Sequence, residues 1–150
     1  MCSSDLFTSA YGGKSQLISI SQLPEGLNAM ENWSNRVEGY MSTPVVINDH
    51  AYMHLKNQRF ACINLKTGKE VWRTSKVFGK YWSLVAQNDR ILALDEKGIL
   101  YLIKANPQKF DLIDSRNVSD QETWAHLVVC GETVFVRELE GLAAFTWNSK

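Results

Sequence analysis

The chain has 150 residues, of which 45% are hydrophobic and 21% charged, and its 16 basic residues balance 16 acidic ones. This length fits one domain. The zero net charge argues against a nucleic-acid or membrane-surface binder, because such proteins normally carry an excess of basic residues. No apolar run approaches the roughly 18–20 residues of a membrane-spanning helix.

Short apolar runs separated by polar turns follow one another along the chain and predict β-strands. Residues 1–14 show neither this pattern nor a secretory signal, and they are predicted to be a poorly defined N-terminal segment. Strand-like runs then cover 15–20, 28–33, 45–47, 52–55, 60–65 and 69–74. The same rhythm continues to the end of the sequence, and no sustained helical periodicity interrupts it.

The rhythm is an internal repeat. Segments that start at Pro44, Ser83 and His126 align without gaps at offsets of 39 and 43 residues. Each unit contains up to four strands joined by hairpins, and a four-stranded unit of about 40 residues is typical of a β-propeller blade. The alignment predicts three groups of equivalent apolar residues: Tyr52, Ile91 and Val134; Phe60, Ile99 and Leu142; and Ile63, Leu102 and Phe145.

The sequence therefore predicts an all-β fold, a β-propeller segment with four-stranded antiparallel blades and about three and a half blades present. The expected parts are a partial blade of outer strands at 15–36, blades at 43–75 and 82–118, and a partial blade of three inner strands at 124–147. All of them belong to one incomplete propeller domain. Because closed propellers have at least four blades, we expect the remaining blades of a longer chain to complete the ring.

The stretch from Asn64 to Trp72 resembles the signature of PQQ-like propeller repeats, which occur in quinoprotein dehydrogenases and in BamB-type outer membrane assembly proteins. Asn64 stands where that signature usually has Asp. The resemblance implies that Thr67 and Gly68 close the hairpin between the third and fourth strands, with Gly supplying a positive φ. It also implies that Trp72, and Trp33 located 39 residues earlier, dock neighbouring blades.

Catalytic and cofactor sites are not expected. Quinoproteins of this family hold PQQ and calcium with a vicinal disulfide and acidic residues, but the cysteines Cys2, Cys62 and Cys130 are far apart and no calcium-loop spacing occurs. His50 and His54 would lie about 13 Å apart along a strand, too far to share a metal ion. Cys62 and Cys130 are predicted to be buried in apolar strands.

Aromatic and polar residues gather in the segments that lead into each first strand. Such segments reach the same end of every blade, so these side chains could form a rim that binds a ligand or partner. The alternative is that they cover the ends of the blades and have no binding role. The candidate rim residues are Tyr40, Tyr81, Trp82, Trp124 and His126.

The predicted function is that of a non-catalytic propeller module that serves as a binding or assembly scaffold. Resemblance to the BamB type implies the periplasm or cell envelope, with a protein or small-molecule ligand as partner and no nucleic acid or membrane span. The alternative is part of a PQQ-dependent quinoprotein dehydrogenase whose catalytic residues lie in other blades. A third possibility is a purely structural module within a larger protein.

Overall fold

A computed structural model describes residues 3–124 and 126–146, which form fourteen β-strands in four antiparallel sheets. The predicted all-β propeller segment is confirmed. Cys2, Ala125 and Trp147 lie outside the described residues, so the predicted end of the last partial blade at 147 does too. The strands are β1 (Ser3–Phe7), β2 (Ser15–Leu23), β3 (Gly26–Asn35), β4 (Val45–Ile47), β5 (His50–His54), β6 (Phe60–Asn64), β7 (Glu70–Arg73), β8 (Trp82–Gln87), β9 (Arg90–Asp95), β10 (Ile99–Lys104), β11 (Asp111–Asn117), β12 (Val128–Cys130), β13 (Thr133–Arg137) and β14 (Leu142–Thr146).

Each sheet is one blade. Blade 1 is β1–β3, blade 2 is β4–β7, blade 3 is β8–β11 and blade 4 is β12–β14. Strand β1 lies within the N-terminal segment for which the sequence predicted no strand, and it pairs antiparallel with β2 from Phe7↔Gln16 to Ser3↔Ile20. Because successive strands run in opposite directions, alternate turns lie at opposite ends of a blade. The links between blades share one end, named here the linker end, with the turns between second and third strands.

The repeat offset between blades 2 and 3 is 40 residues, so the predicted offset of 39 is wrong. Tyr52 pairs with Cys62 in blade 2, and Leu92 pairs with Leu102 in blade 3. A shift of one residue moves every side chain of a strand to the opposite face of its sheet. Tyr52 faces blade 3 in the shared core, whereas Ile91, its predicted equivalent, faces back towards blade 2.

Between blades 3 and 4 the predicted offset of 43 holds only in part. Leu92 on β9 pairs with Leu102 on β10, and the equivalent pair in blade 4 is Phe135 with Ala144. The offset is therefore 43 residues on the second strand but only 42 residues on the third. The turn between the second and third strands is therefore one residue shorter in blade 4.

Because the two offset errors cancel between blades 2 and 4, Phe60 and Leu142 are equivalent, and so are Ile63 and Phe145. Only the blade 3 members of the predicted third-strand groups, Ile99 and Leu102, lie on the opposite face.

A β-bulge recurs at the same place in the first three blades. The register between third and fourth strands shifts after Leu17 in blade 1, after Cys62 in blade 2 and after Leu102 in blade 3. Just before the shift, Leu17 pairs with Trp33 and Cys62 pairs with Trp72. In blade 3 the residue at this position is Asp114, so this blade has no tryptophan there.

Three apolar clusters fill the seams between neighbouring blades. The largest joins blades 2 and 3 and includes Tyr52, Phe60, Trp82 and Tyr101. A second cluster around Met53 joins blades 1 and 2, and a third joins blades 3 and 4. The core therefore lies between the sheets, as expected when each blade buries its faces against its neighbours.

The first strand of blade 4 is exposed, so the predicted burial of Cys130 is wrong. Every residue of β12 is exposed, including Cys130, although Cys62 on β6 is buried as expected. The first strand is the inner edge of its blade, and in an open arc of four blades nothing among the described residues covers that edge. Apolar sequence alone could not distinguish a strand buried on both faces from one lining an open channel.

Candidate functional site

Four aromatic rings form a continuous row across the linker end, one ring for each blade. This aromatic row consists of Tyr11, Tyr40, Tyr81 and Trp124. The ring centroids are 5.9 Å apart between Tyr11 and Tyr40, 5.5 Å between Tyr40 and Tyr81, and 4.5 Å between Tyr81 and Trp124. These distances fall within the range of favourable aromatic pairs. The row therefore links all four blades on one surface.

The ends of the aromatic row are more accessible than its middle. Tyr11 is 71% exposed and Trp124 is 57% exposed, whereas Tyr40 is only 7% exposed. The phenol oxygens of Tyr11 and Tyr40 lie 3.2 Å apart, and this hydrogen bond raises the pKa of Tyr11. The middle rings thus hold the row in place, while the end rings present apolar surface to solvent.

Three glutamates support the row, each through one hydrogen bond. Glu38 accepts a hydrogen bond from the Gly12 backbone N–H at 3.2 Å, and Glu96 accepts one from the Tyr81 N–H at 3.0 Å. The indole N–H of Trp124 donates to Glu122 at 2.7 Å. Charge-assisted bonds of this kind are stronger than neutral ones. These carboxylates therefore position the ring-bearing segments, so they are already engaged within the protein.

Two lysines lie over the rings of the row. The ammonium of Lys56 is 5.4 Å from the centroid of Tyr11, and that of Lys80 is 5.2 Å from the centroid of Tyr81. Lys56 also forms an ion pair with Glu38 at 2.9 Å. Contact with Tyr81 and the neighbouring phenols raises the pKa of Lys80. Cations in this position are attracted to the ring faces and keep the surface both charged and aromatic.

Trp82 and His126 lie beside the row but differ in accessibility. Trp82 is 2% exposed and packs in the seam. Its ring centroid lies 4.7 Å from that of Phe78 and 5.2 Å from that of Tyr101. It is therefore not available as a surface contact of the predicted rim. His126 is exposed, lies 3.5 Å from Ser83 and borders a cleft of about 130 Å³. Tyr81 and Trp124 line the same cleft.

Tyr11 was not among the predicted rim residues. It lies between β1 and β2, in a segment where no strands were predicted. The turn between second and third strands reaches the same end of a blade as the links between blades, so recognition of β1 would have placed Tyr11 at the linker end. Tyr11 was missed because β1 could not be recognised from sequence, since its five residues show no alternation of apolar and polar side chains.

The predicted docking tryptophans contact the next blade. The indole N–H of Trp33 donates to the carbonyl oxygen of Leu65 at 2.6 Å, and that of Trp72 donates to the carbonyl of Asn106 at 3.0 Å. Each indole thus bridges from a fourth strand to a turn of the following blade. A stabilising role in docking stays a prediction that substitution can test.

The Thr67-Gly68 turn packs beneath Trp33. The side-chain oxygen of Asn64 accepts hydrogen bonds from the backbone N–H groups of Lys66 and Thr67 at 3.0 and 3.1 Å, as the usual aspartate of the signature would. Gly68 has φ of +68°, and a Cβ there would lie 2.5 Å from the ring of Trp33. Glycine is therefore required by both backbone conformation and space.

His54 is buried in the seam between blades 2 and 3. Its ring stacks on Trp82 with centroids 5.1 Å apart, and neither ring nitrogen has a partner with hydrogen-bond geometry among the described residues. Burial lowers the pKa of His54 to about 4, although the backbone of Gly79 and the charge of Glu96 oppose this shift. His54 is therefore neutral at pH 7.

Among residues 3–124 and 126–146, no three His, Cys, Asp or Glu side chains cluster so that they could hold a metal ion. The same residues include no helix long and apolar enough to cross a membrane. His50, the other histidine considered for a metal site, contacts the carbonyl oxygen of Asn48 at 2.8 Å.

The chain is a β-propeller segment, and solved propellers superpose on nearly all of it. BamB from Moraxella catarrhalis matches with a TM-score of 0.64 and 12% identity, covering 91% of this chain and 42% of that one. The Cps50 (Swd1) β-propeller domain of Myceliophteria thermophila gives 0.66 and 13%, covering 92% and 50%. The computationally designed Ika4 protein gives 0.59 and 10%, covering 87% and 86%. Such low identities show the fold alone.

Within this class, the N-terminal part of the chain is similar to PQQ-like propeller repeats of the BamB type. The family model described as outer membrane protein assembly factor BamB matches residues 3–74. The BamB of Moranella endobia (strain PCIT) is 34% identical over 71 residues. That alignment covers 41% of this chain and 18% of the relative. The predicted resemblance to BamB-type repeats is thus confirmed, and the chain spans less than half the length of the BamB proteins it matches.

Proposed function

We propose that this propeller segment is a non-catalytic scaffold that binds a protein of the cell envelope through the aromatic row. The observation that carries the proposal is the row itself, in which one ring from each blade contacts the next ring. Large aromatic side chains with exposed faces dominate the energetics of protein interfaces. Lys56 and Lys80 add charged contacts at the edge of the same surface.

The proposed location and partner class come from the similarity to BamB. That relative is named an outer membrane protein assembly factor, and its family model matches the part of this chain that contains Tyr11 and Tyr40. We infer a periplasmic site of action and a partner that belongs to the outer membrane assembly machinery. Trp124 lies beyond the matched residues, so the far end of the row extends the proposal to blade 4.

Site-directed photo-crosslinking tests the proposal. A photoreactive amino acid replaces Trp124 or Tyr11 at the exposed ends of the row, and Val71 on the outer strand of blade 2 serves as a control because it is also exposed. The protein is expressed in the periplasm of a Gram-negative bacterium. We expect crosslinks from both row positions to an outer membrane assembly component, identified by mass spectrometry, and none from Val71.

Substitution provides the second readout. Trp124→Ala and Tyr11→Ala should each lower capture of that component at least tenfold, while the thermal midpoint stays within a few degrees because both rings are largely exposed. Val71→Ala should leave capture unchanged. Crosslinks to the assembly component from Val71 alone, or capture unaffected by both ring deletions, would contradict a role for the row.

The quinoprotein alternative stays a prediction with its own test. Reconstitution of the purified chain with PQQ and calcium would produce a calcium-dependent cofactor absorbance if the chain belonged to such an enzyme. No contact or cluster among the described residues favours this alternative over the scaffold.

A further inference from the structure

The outer strands of the first three blades differ in how their free edges are protected. An exposed edge strand is usually blunted by short length, charged side chains or proline, because its unpaired backbone groups can capture another strand. Strand β7 has four residues and carries Glu70 and Arg73, and β11 has seven residues with Asp111, Asp114 and Arg116. Strand β3 has ten residues, no lysine, arginine or proline, and one carboxylate.

Strand β3 also belongs to a longer hairpin than its counterparts. Between the equivalent pairs Ile18↔Glu31 and Ile63↔Glu70, blade 1 has residues 19–30 whereas blade 2 has only 64–69. The pairing of β2 with β3 continues as far as Leu23↔Gly26. The hairpin therefore extends from the end of blade 1 opposite the linker end, away from the aromatic row.

The outer edge of this hairpin is accessible. Among the described strands β3 pairs with β2 alone. Leu27 is 76% exposed and Met30 is 58% exposed, and the odd spacing between them places them on opposite faces of the strand. The single carboxylate, Glu31, is already paired with Lys14 at 3.0 Å. The edge thus offers backbone groups with apolar and uncharged polar side chains, and no unpaired charge within β3 itself.

We propose that the outer edge of β3 binds an uncharged, extended segment of another polypeptide as an added antiparallel β-strand. Main-chain hydrogen bonds would supply the affinity, and apolar side chains beside Leu27 and Met30 would supply the preference. A charged segment would find no counter-ion along this edge, so the chemistry favours a neutral strand rich in β-branched residues. This surface is separate from the aromatic row and does not depend on it.

A synthetic peptide probes the edge directly. The probe is a ten-residue, capped and fluorescently labelled peptide of alternating Thr and Val, and its binding is measured by fluorescence anisotropy. The double variant Leu27→Lys with Met30→Lys introduces the charges that protect natural edges. Matched controls are Val71→Lys on β7 and Ile113→Lys on β11, where the native side chains are 46% and 47% exposed.

We expect the double variant to raise the Kd for the peptide at least tenfold and the controls to leave it within twofold, with thermal midpoints unchanged. Hydrogen exchange at β3 amides should slow when the peptide is bound, while β7 and β11 are unaffected. Protection at β7 or β11, or no binding to the native chain, would overturn the proposal. Concentration-dependent doubling of mass with β3 protection in the absence of peptide would assign the edge to a second copy and also overturn it.

The result of the peptide-binding experiment on β3 is independent of the result of the crosslinking experiment on the aromatic row. Loss of the edge proposal would leave capture through Trp124 and Tyr11 intact, and loss of the row would leave peptide binding to β3 intact. The two surfaces lie at opposite ends of blade 1, so one set of substitutions does not affect the other surface.

Discussion

At the scale of single residues, His54 combines burial with a lack of hydrogen-bond partners. Its ring stacks on Trp82 inside the seam, and neither nitrogen has a partner with full hydrogen-bond geometry among the described residues, although the Gly79 backbone lies close enough to affect its pKa. From sequence, His54 was weighed only as a metal ligand, and its spacing from His50 argued against that role. It is buried because it lies at the end of β5 and faces Trp82 of blade 3.

We predict that stability falls in acid because of His54. The pKa is about 4 in the folded state, against an ordinary value of 6.5, so the unfolded state binds more protons between these values. The free energy of unfolding should therefore decrease as pH falls from about 6.5 to 4, by about 3 kcal/mol in total. His54→Phe keeps an aromatic ring on Trp82 and should remove most of this dependence in urea titrations.

His50→Gln is the matched control, because His50 at the start of β5 is only partly buried. Its ring contacts the carbonyl oxygen of Asn48 at 2.8 Å and the side chain of Asn64 at 3.5 Å. This variant should retain the acid sensitivity of the native chain. An unchanged pH profile in His54→Phe would show that another group is responsible.

The candidate site was only partly predictable from single residues. Tyr40, Tyr81 and Trp124 were found because aromatic residues recur before each first strand, and the structure brings these three into contact. Tyr11 lacked a recognisable strand beside it. Trp82 follows Tyr81 directly, but adjacent residues of an extended segment point in opposite directions, so one ring lies on the surface and the other enters the core.

At the scale of elements, the hairpin turn of blade 2 is also part of the seam with blade 1. Gly68 lies beneath the ring of Trp33, whose indole reaches the neighbouring carbonyl of Leu65. The Thr-Gly pair was recognisable as a turn from sequence. Its contact with the preceding blade was not, because turn chemistry reports backbone conformation and carries no information about what lies above it.

We predict that Gly68→Ala destabilises the chain much more than Gly131→Ala. Both glycines have positive φ, +68° and +57°, so both substitutions incur the left-handed backbone penalty of about 1 kcal/mol. Only at residue 68 would the new Cβ also collide with a neighbour, the Trp33 ring, whereas nothing lies within 4 Å at residue 131. Equilibrium urea unfolding should show an additional loss of about 2 kcal/mol for Gly68→Ala.

Equal losses for the two variants would mean that Trp33 moves aside without cost and that the seam between blades 1 and 2 does not depend on it. A further variant, Trp33→Ala combined with Gly68→Ala, should cost less than the two single changes together, because the collision disappears with the ring.

The repeat offset shows how close a sequence alignment can come and still assign the wrong face. The turns Asn48-Asp49 and Asn88-Asp89 coincide at an offset of 40 and were a usable signal. The apolar columns aligned almost as well at 39, because nearly every residue of these strands is apolar. An offset error of one residue leaves the predicted fold class unchanged, because the fold class depends on the number of strands. The same error assigns each side chain to the wrong face of its sheet.

At the scale of the whole molecule, the three seams are not equivalent. The first two contain an indole that bridges to the next blade, from Trp33 and from Trp72. In blade 3 the corresponding residue is Asp114, which is engaged by Arg116 at 3.2 Å on the surface. A groove of about 770 Å³ also opens between blades 3 and 4, lined by Val85, Leu127 and other apolar residues.

We predict that blade 4 opens more readily than blades 2 and 3. Native-state hydrogen exchange should show the fastest exchange of structured amides in β12–β14 and the slowest in β5, β6, β9 and β10, which flank the largest core cluster. The expected difference is at least tenfold in protection factor. Uniform protection across β4–β14 would show that the missing indole and the groove do not weaken the third seam.

The bridging indoles also bear on how the chain folds during synthesis. Trp33 requires a carbonyl 32 residues later, and Trp72 requires one 34 residues later. After a blade has left the ribosome, the indole N–H of its fourth strand therefore has no carbonyl partner until the third strand and turn of the following blade have emerged. Folding from the N-terminus would proceed as a series of short-range closures, each completed by the next repeat, with little need for contacts between distant parts of the chain.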